Sequence, residues 1–253
     1  MSVEVERVLP YAGDEDKGTQ VRRMFDTIAG RYDMLNHMLS LGMDRSWRRK
    51  TVDSLRPFSP QRILDVASGT GDLALLMCRR LQPQQIVAAD LSEEMMAVGR
   101  RKAAEAGYAS LVSFEHQDCM TLTYSDHSFD AITVAFGVRN FADLERGLSE
   151  MERVLRPDGQ LRILELSTPK HFPMKQLYAL YSRTIIPLVG SWFSLEKSAY
   201  RYLPASIRKM PQGREMVRLL ERQGFDVQVR TFTGGTCSLY SATKHGHSNT
   251  IGK

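Results

Sequence analysis

Cysteine is scarce in this chain. Cys78, Cys119 and Cys237 are odd in number, far apart and without a C-x-x-C spacing, which excludes a disulfide framework and a cysteine-based zinc site and points to a reducing compartment. The histidines form no ligand cluster either, and His245 and His247 lie in a polar C-terminal stretch, so no metal is expected. Long apolar runs are missing too. Met1 to Gly18 is acidic and polar, with nothing that could serve as a signal-peptide core. The most apolar later segment, Leu177 to Phe193, is interrupted by Arg183, Pro187 and Gly190 and is too short and polar to span a bilayer. A cytoplasmic protein is the expectation. Internal repeats and low-complexity linkers are also lacking.

What is present suits a folded enzyme. The chain has 253 residues, 42% hydrophobic and 25% charged, enough for one large α/β domain with appendages. Its formal charge is +5, with basic clusters at Arg45 to Lys50, Arg100-Arg101-Lys102 and Arg208-Lys209. No aromatic-rich RNA-binding signature accompanies them, so nucleic acid is not an expected partner. They read as solvated faces or as attraction to anionic lipid, where each clustered cation contributes about 1 kcal/mol.

Apolar residues at three- and four-residue spacing (Val21, Met24, Phe25, Ile28, Tyr32, Leu35, Leu39) predict one or two amphipathic helices over 19–39, with Gly30 as a break. A further helix is expected from Asp44, as N-cap, to Leu55, closed by Pro57 and Pro60. From there short β-type runs alternate with helical stretches: strands at 62–66, 85–89, 112–115, 131–135 and 160–164, helices at 72–81, 92–106 and 143–154. This pattern is that of a doubly wound, mostly parallel sheet. Residues 168–210 break the rhythm and read as a helical insertion over the substrate side. The sheet resumes with a helix at 213–223 and strands at 226–230 and 237–243, joined by a hairpin at Gly234-Gly235. The expected organisation is a flexible tail over 1–18, a single domain over 19–244 with a helical cap at 19–56, and a flexible tail over 245–253.

The pattern turns on Arg62-Ile-Leu-Asp-Val-Ala-Ser-Gly-Thr-Gly-Asp-Leu-Ala74, a strand that ends in a carboxylate and runs through two glycines into a helix. Glycines expose backbone to a ligand, and the helix start offers unpaired N–H groups. Gly69-Thr70-Gly71 with Ala74 satisfies the loose dinucleotide fingerprint. Asp65, however, would repel a pyrophosphate and suit a cationic ligand such as S-adenosylmethionine; its alternative role is to cap the loop's own N–H groups. Ligands of such sheets lie beyond the strands' C-terminal ends, where Asp65, Asp90, Asp118 and Phe136 all fall. Asp90 is placed to accept from ribose hydroxyls, which NAD and S-adenosylmethionine both carry; the other reading, an N-cap, fits Ser92 better. In Gln117-Asp118-Cys119 a polar side chain can reach an adenine amino group, with Met95, Met96 or Met120 against the ring or simply in the core.

These residues carry a family resemblance. Asp65 through Gly71, Asp90, Asp118 and Phe136-Gly-Val-Arg-Asn140 resemble a class I S-adenosylmethionine-dependent methyltransferase. Phe25-Asp-Thr-Ile-Ala-Gly-Arg-Tyr-Asp-Met-Leu-Asn36 with Ser40 and Trp47, Arg153-Val-Leu-Arg-Pro-Asp-Gly-Gln-Leu-Arg-Ile-Leu-Glu-Leu-Ser167, and Tyr202-Leu-Pro-Ala-Ser-Ile207 with Gly224-Phe225 resemble the ubiquinone/menaquinone biosynthesis C-methyltransferases over about Val21 to Lys244. The chain departs from that family at Asp44 (commonly His), Asp158 (Gly), Ala135 (Ser) and Tyr240 (His).

The resemblance implies a Rossmann-like fold with a seven-stranded sheet whose last strand is antiparallel. It implies methyl transfer from S-adenosylmethionine to a ring carbon of a prenylated hydroquinone, demethylmenaquinol by the family's habit, with the benzoquinol of ubiquinone biosynthesis as the alternative. Gly69, Thr70, Gly71, Asp65, Asp90, Leu91, Asp118, Cys119 and Ala135 are then the candidate cofactor residues, Ala135 through its backbone. Arg139 is the candidate for stabilising a phenolate, against a plain salt bridge, because a guanidinium stays protonated. Tyr32, Asp33 and Asn36 are candidates for orienting the hydroxyl or passing on its proton, and the Leu177–Phe193 stretch for receiving the isoprenoid tail. The implied setting is peripheral, at the inner face of a membrane, with a homo-oligomer left open. A methyltransferase for another lipidic acceptor, a dehydrogenase and a non-catalytic cofactor-binding scaffold are the other readings.

Overall fold

The computed structural model describes residues 3–192 and 197–246, and among these the side chains of 186–192, 197 and 200 fall outside the description. α1 (Lys17–Ile28) opens at Asp16, whose carboxylate accepts from the Thr19 N–H. A short 3-10 turn at Ala29–Arg31 separates it from α2 (Tyr32–Leu39), as the position of Gly30 led one to expect. α3 (Met43–Asp53) then follows Gly42, which takes the left-handed φ of 74° needed to turn the chain. Asp44 is therefore not the N-cap: it sits inside the first turn of α3 and is buried.

The alternation that follows is β1 (Arg62–Val66), α4 (Asp72–Leu81), β2 (Gln85–Asp90), α5 (Glu93–Glu105), β3 (Val112–His116), β4 (Phe129–Ala135), α6 (Leu144–Val154) and β5 (Leu155–Leu166). The 168–210 region holds α7 (Met174–Trp192) and α8 (Lys197–Lys209). The chain then closes with α9 (Arg214–Arg222), β6 (Phe225–Phe232) and β7 (Cys237–Lys244). The strands form one sheet in the order β3-β2-β1-β4-β5-β7-β6. β3, β2, β1, β4 and β5 are mutually parallel neighbours, and β7 is antiparallel to both β5 and β6. This is the Rossmann-like architecture expected.

Ile63 through Val66 are all buried because helices cover both faces of the sheet. One core lies on the α6 and α9 face, around Phe129, Ile132, Leu148 and Leu220. The other lies on the α4 and α5 face, around Ile63, Leu73, Met77 and Ile86. Chain order reverses between β1 and β4, so a crevice opens beyond their C-terminal ends.

The expected flexible tail over 1–18 is a correction. From Val3 onward the segment is packed: Val5 is fully buried in the α6-side core, the Leu144 N–H donates to Glu6 at 3.0 Å, and Glu4 pairs with Lys209. The apolar side chains of Val3 and Val5 supply the burial that an all-polar tail could not. Of the 245–253 tail, His245 and Gly246 are described, and the rest lies outside the described residues.

Candidate functional site

Two cavities meet at Phe136. The first, about 800 Å³ with its mouth, lies beyond the ends of β1, β2, β3 and β4 and is roofed by α1. Gly69, Asp90, Leu91, Asp118, Cys119 and Ala135 line it, together with Tyr32, Met95 and Met120. Asp90 organises the turn: its carboxylate accepts from the Gly69 N–H at 2.7 Å and from the Ser92 N–H at 2.9 Å. Burial raises its pKa against the pull of these bonds. Ser92 caps α5 by accepting from the Met95 N–H, as expected, and its hydroxyl donates to Asp26 of α1, which docks the roof. The Asp118 carboxylate accepts from the Met120 N–H at 2.9 Å, which fixes that loop. Burial pushes the Cys119 thiol far above its usual range, so it is an apolar wall and not a nucleophile.

Several expected cofactor residues do not face this cavity. Asp65 is 1% exposed and lies beneath the turn, accepting from the Thr133 hydroxyl at 2.6 Å. Thr133 is its registered neighbour on β4, and paired residues on adjacent strands point to the same face. Burial pushes Asp65 up to about 7. Thr70 is buried and donates to Asp33, which also takes the Lys102 ammonium at 2.7 Å. Asp33 therefore ties α2 to the glycine turn and is not placed to serve the acceptor. Gly71 is a packing requirement: at its φ of 75° a Cβ would stand 2.8 Å from Phe114. Met96 packs in the α4-side core and does not line the cavity, whereas Met95 and Met120 do.

The second cavity, about 1010 Å³ with its mouth, lies beyond β4 and β5 between α2, α3, α7 and α8. Its walls are mostly apolar: Leu39, Trp47, Phe136, Leu177, Tyr181 and Leu203 among them. Trp47 is fixed by donating to Thr233 at 3.0 Å and stands edge-on to Phe136 at 6.4 Å. Leu177, Tyr178 and Tyr181 of the insertion line this space, while the side chains of Trp192 and Phe193 lie outside the described residues.

Among the described residues, Arg139 is the only cation on this wall and Asp44 the only carboxylate. Arg139 is 6% exposed, donates to Glu165 at 2.7 Å and to the Phe136 carbonyl, and leaves its Nε without a partner. Burial works against its charge, but Glu165, Tyr32 and Tyr202 outweigh that and raise its pKa. It is thus paired, but deep and not on the surface. A recess between α1, α2 and α8 reaches Tyr32, Asn36 and Arg139 from the other side. Burial raises the Tyr32 pKa, so its hydroxyl is a hydrogen-bonding group and not a phenolate.

Sequence reasoning missed Glu165, which lay in plain view in the Ile-Leu-Glu-Leu-Ser motif at the end of β5. It also missed Lys17, whose ammonium reaches the Arg139 carbonyl at 3.1 Å and whose pKa burial lowers to about 8. Ala67 and Phe136 hold positive φ values of 51° and 61° at the crevice. Such strain costs about 1–3 kcal/mol each and gathers where a ligand must be approached.

The first cavity suits S-adenosylmethionine. Asp90 and Asp118 on its wall match hydroxyl and amino donors, Met95 and Met120 match a flat ring, and Gly69 leaves bare backbone where a Cβ would come within 3.2 Å of Met95. A pyrophosphate would face two carboxylates, with the exposed Arg22 as the one cation among the described residues.

A family model described as the ubiE/COQ5 methyltransferase family matches residues 13–244. The chain is 54% identical over 245 residues to a demethylmenaquinone methyltransferase of Bacteroides fragilis, covering 96% of this chain and 100% of that one. It is 43% identical over 231 residues to a ubiquinone/menaquinone biosynthesis C-methyltransferase of Geobacter sulfurreducens, covering 90% of each. Among solved structures, an S-adenosylmethionine-dependent methyltransferase from Aquifex aeolicus shares the fold, with a TM-score of 0.53 at 19% identity over 72% of this chain and 81% of that one.

Proposed function

Because the chain belongs to the ubiE/COQ5 methyltransferase family, we propose that it methylates a ring carbon of a prenylated hydroquinone, converting demethylmenaquinol to menaquinol. S-adenosylmethionine, the family's methyl donor, supplies an electrophilic methyl group when bound. The observation that carries the reading is the junction at Phe136. A cavity suited to the donor and an apolar cavity with one buried guanidinium share this residue as a wall.

Gly69, Asp90, Leu91, Asp118, Cys119 and Ala135 hold the donor. Asp65, Thr70 and Gly71 shape the turn from behind. A ring carbon becomes nucleophilic when its neighbouring hydroxyl ionises, and Arg139, held by Glu165, stabilises the phenolate in a dry site. Tyr32 and Asn36 orient the ring. The apolar wall contributed by α7 and α8 receives the isoprenoid tail.

Among the described residues no helix is long and apolar enough to cross a membrane. Leu41, Leu177, Leu180 and Ile185 are nevertheless exposed around the second cavity, with Arg45 and Arg49 exposed on the neighbouring α3. This rim rests on anionic lipid at the inner face of a membrane, from which a lipid-soluble quinol can enter.

The test is transfer of a tritiated methyl group from S-adenosylmethionine to reduced short-tailed demethylmenaquinone by the purified protein. Label in the extracted naphthoquinol is expected. Label only in a benzoquinol would move the function to ubiquinone biosynthesis, the activity named for the Geobacter relative. Label in neither overturns the reading.

A further inference from the structure

Arg139 stabilises a phenolate but cannot take its proton, since a guanidinium has no acceptor. With Asp33 committed to Thr70 and Lys102, the second cavity has one carboxylate on its wall among the described residues, Asp44. Asp44 is 2% exposed, accepts from the Ser40 hydroxyl at 2.7 Å on Oδ1, and stands 2.8 Å from His37 Nδ1 on Oδ2. Ser40 also lines the cavity. His37 borders a separate open cleft with Arg45, Arg49, Arg79, Arg80, Lys102 and Asp72, and its side chain is 27% exposed. Arg48 completes the charged surroundings, 3.7 Å from Asp44 Oδ2. An unbroken chain of polar atoms thus runs from the acceptor cavity to solvent through an otherwise apolar wall.

We propose that Ser40 and Asp44 take the acceptor's hydroxyl proton and that His37, donating from Nδ1, holds the Asp44 carboxylate in place. This rests on the hydroquinone reading above. The acceptor O–H bond breaks and its electron pair stays on oxygen, shared onto the ring carbon that receives the methyl group. The proton passes to Ser40 Oγ as the Ser40 proton passes to Asp44 Oδ1. The C–H bond at the methylated carbon then breaks as the ring regains its aromaticity, and a proton returns to the oxygen. Asp44 gives its proton to water as the product leaves and is ionised again, so the acceptor loses one proton in all and no redox partner is needed. Ser40 and Asp44 are the catalytic residues, and His37 acts through Asp44.

The resemblance places a histidine where this chain has Asp44, so a carboxylate and an imidazole share the site here with the imidazole supplied from α2. The competing reading is that Ser40, Asp44 and His37 only brace the turn between α2 and α3.

Asp44→Asn keeps the shape and removes the base. Its kcat should fall by about a hundredfold or more, the scale of a lost general base, with KM for the short-tailed quinol within a few-fold. A binding readout stands apart from turnover: a naphthol analogue bound with S-adenosylhomocysteine should show its phenolate absorbance at higher pH in the wild type than in Asp44→Asn, because the neighbouring carboxylate opposes a second negative charge. Ser40→Ala, which leaves the Asp44–His37 pair intact, should lose about tenfold in kcat. It decides the matter should Asp44→Asn not fold. Unchanged kcat in a folded Asp44→Asn or Ser40→Ala overturns the proposal. A fall in melting temperature with normal turnover assigns the cluster to bracing. Failure of the wild type to methylate any hydroquinone defeats the hydroquinone reading instead.

Discussion

The two cavities are built in different ways. The donor cavity is made by the sheet: strand ends, a glycine turn and loop N–H groups gathered by one carboxylate, Asp90. The acceptor cavity is made by what is added to the sheet, α2, α3, α7, α8 and the β6–β7 turn, and its polarity resides in side chains. A parallel sheet brings its C-terminal strand ends to one edge in every member of the fold class, so the first cavity is generic. The second is built from the elements added to the sheet, and under the proposed function it takes the acceptor. Changes in one cavity should therefore leave the other's binding intact.

The largest expected effect tests that independence. Arg139→Ala should lower kcat by about a hundredfold or more and leave S-adenosylmethionine affinity within a few-fold, by calorimetric titration. Glu165→Ala should damage stability as well, since it strands a buried guanidinium, at a cost of about 3–5 kcal/mol by the rule for breaking a buried pair. Donor affinity that collapses with Arg139→Ala would make the two cavities one site.

Next in size is the turn's packing. A Cβ on Gly71 would stand 2.8 Å from Phe114 at a φ of 75°. Gly71→Ala should cost about 1–3 kcal/mol as overpacking, read by urea denaturation, and weaken donor binding more than acceptor binding. An unaltered midpoint would mean Phe114 yields freely.

Asp65 gives a pH signature. Its pKa rises from 3.8 to about 7 on folding. Between those values the folded chain keeps a proton that the unfolded chain has released, so stability falls as pH climbs through the window and is fully present only below it. The stability of wild type minus that of Asp65→Asn should therefore decline from about pH 4 to about pH 7 and level off above. Donor binding should survive the substitution, because the carboxylate lies beneath the turn. Its abolition would put Asp65 on the cavity wall.

These outcomes bear on what a sequence can show. The fold and the donor cavity were legible because their signals are contiguous: alternating strands and helices, two glycines, and a carboxylate at the end of β2. Asp65 misled because strand position says that a residue ends a strand, not which face it takes. Its register opposite Thr133 decides that, and register is a tertiary fact. The acceptor cavity was only half legible. Tyr32, Asn36 and Ser40 recur every four residues and so share one side of the α2 segment. Asp33, rotated by about 100° from Tyr32, meets Thr70 and Lys102 instead. That spacing could have separated Asp33 from its neighbours. The convergence of Asp44 with Arg139, and of Glu165 with Arg139, follows no local spacing at all.

The smallest expected effect concerns how the acceptor cavity meets its surroundings. Leu180 and Ile185 are 62% and 39% exposed on α7 and do not line the cavity. An apolar residue at a lipid surface gains by leaving water, and an anionic surface adds attraction to Arg45 and Arg49. Leu180→Ser with Ile185→Ser should reduce co-sedimentation with phosphatidylglycerol vesicles by about threefold or more. Turnover of a water-soluble short-tailed quinol should stay unchanged, while turnover of a long-tailed quinol presented in vesicles should fall in parallel with binding. Binding that depends on ionic strength alone, with no response to these two residues, would reduce the rim to its charges. A drop with the soluble substrate as well would mean that α7 shapes the cavity and not its approach to the membrane.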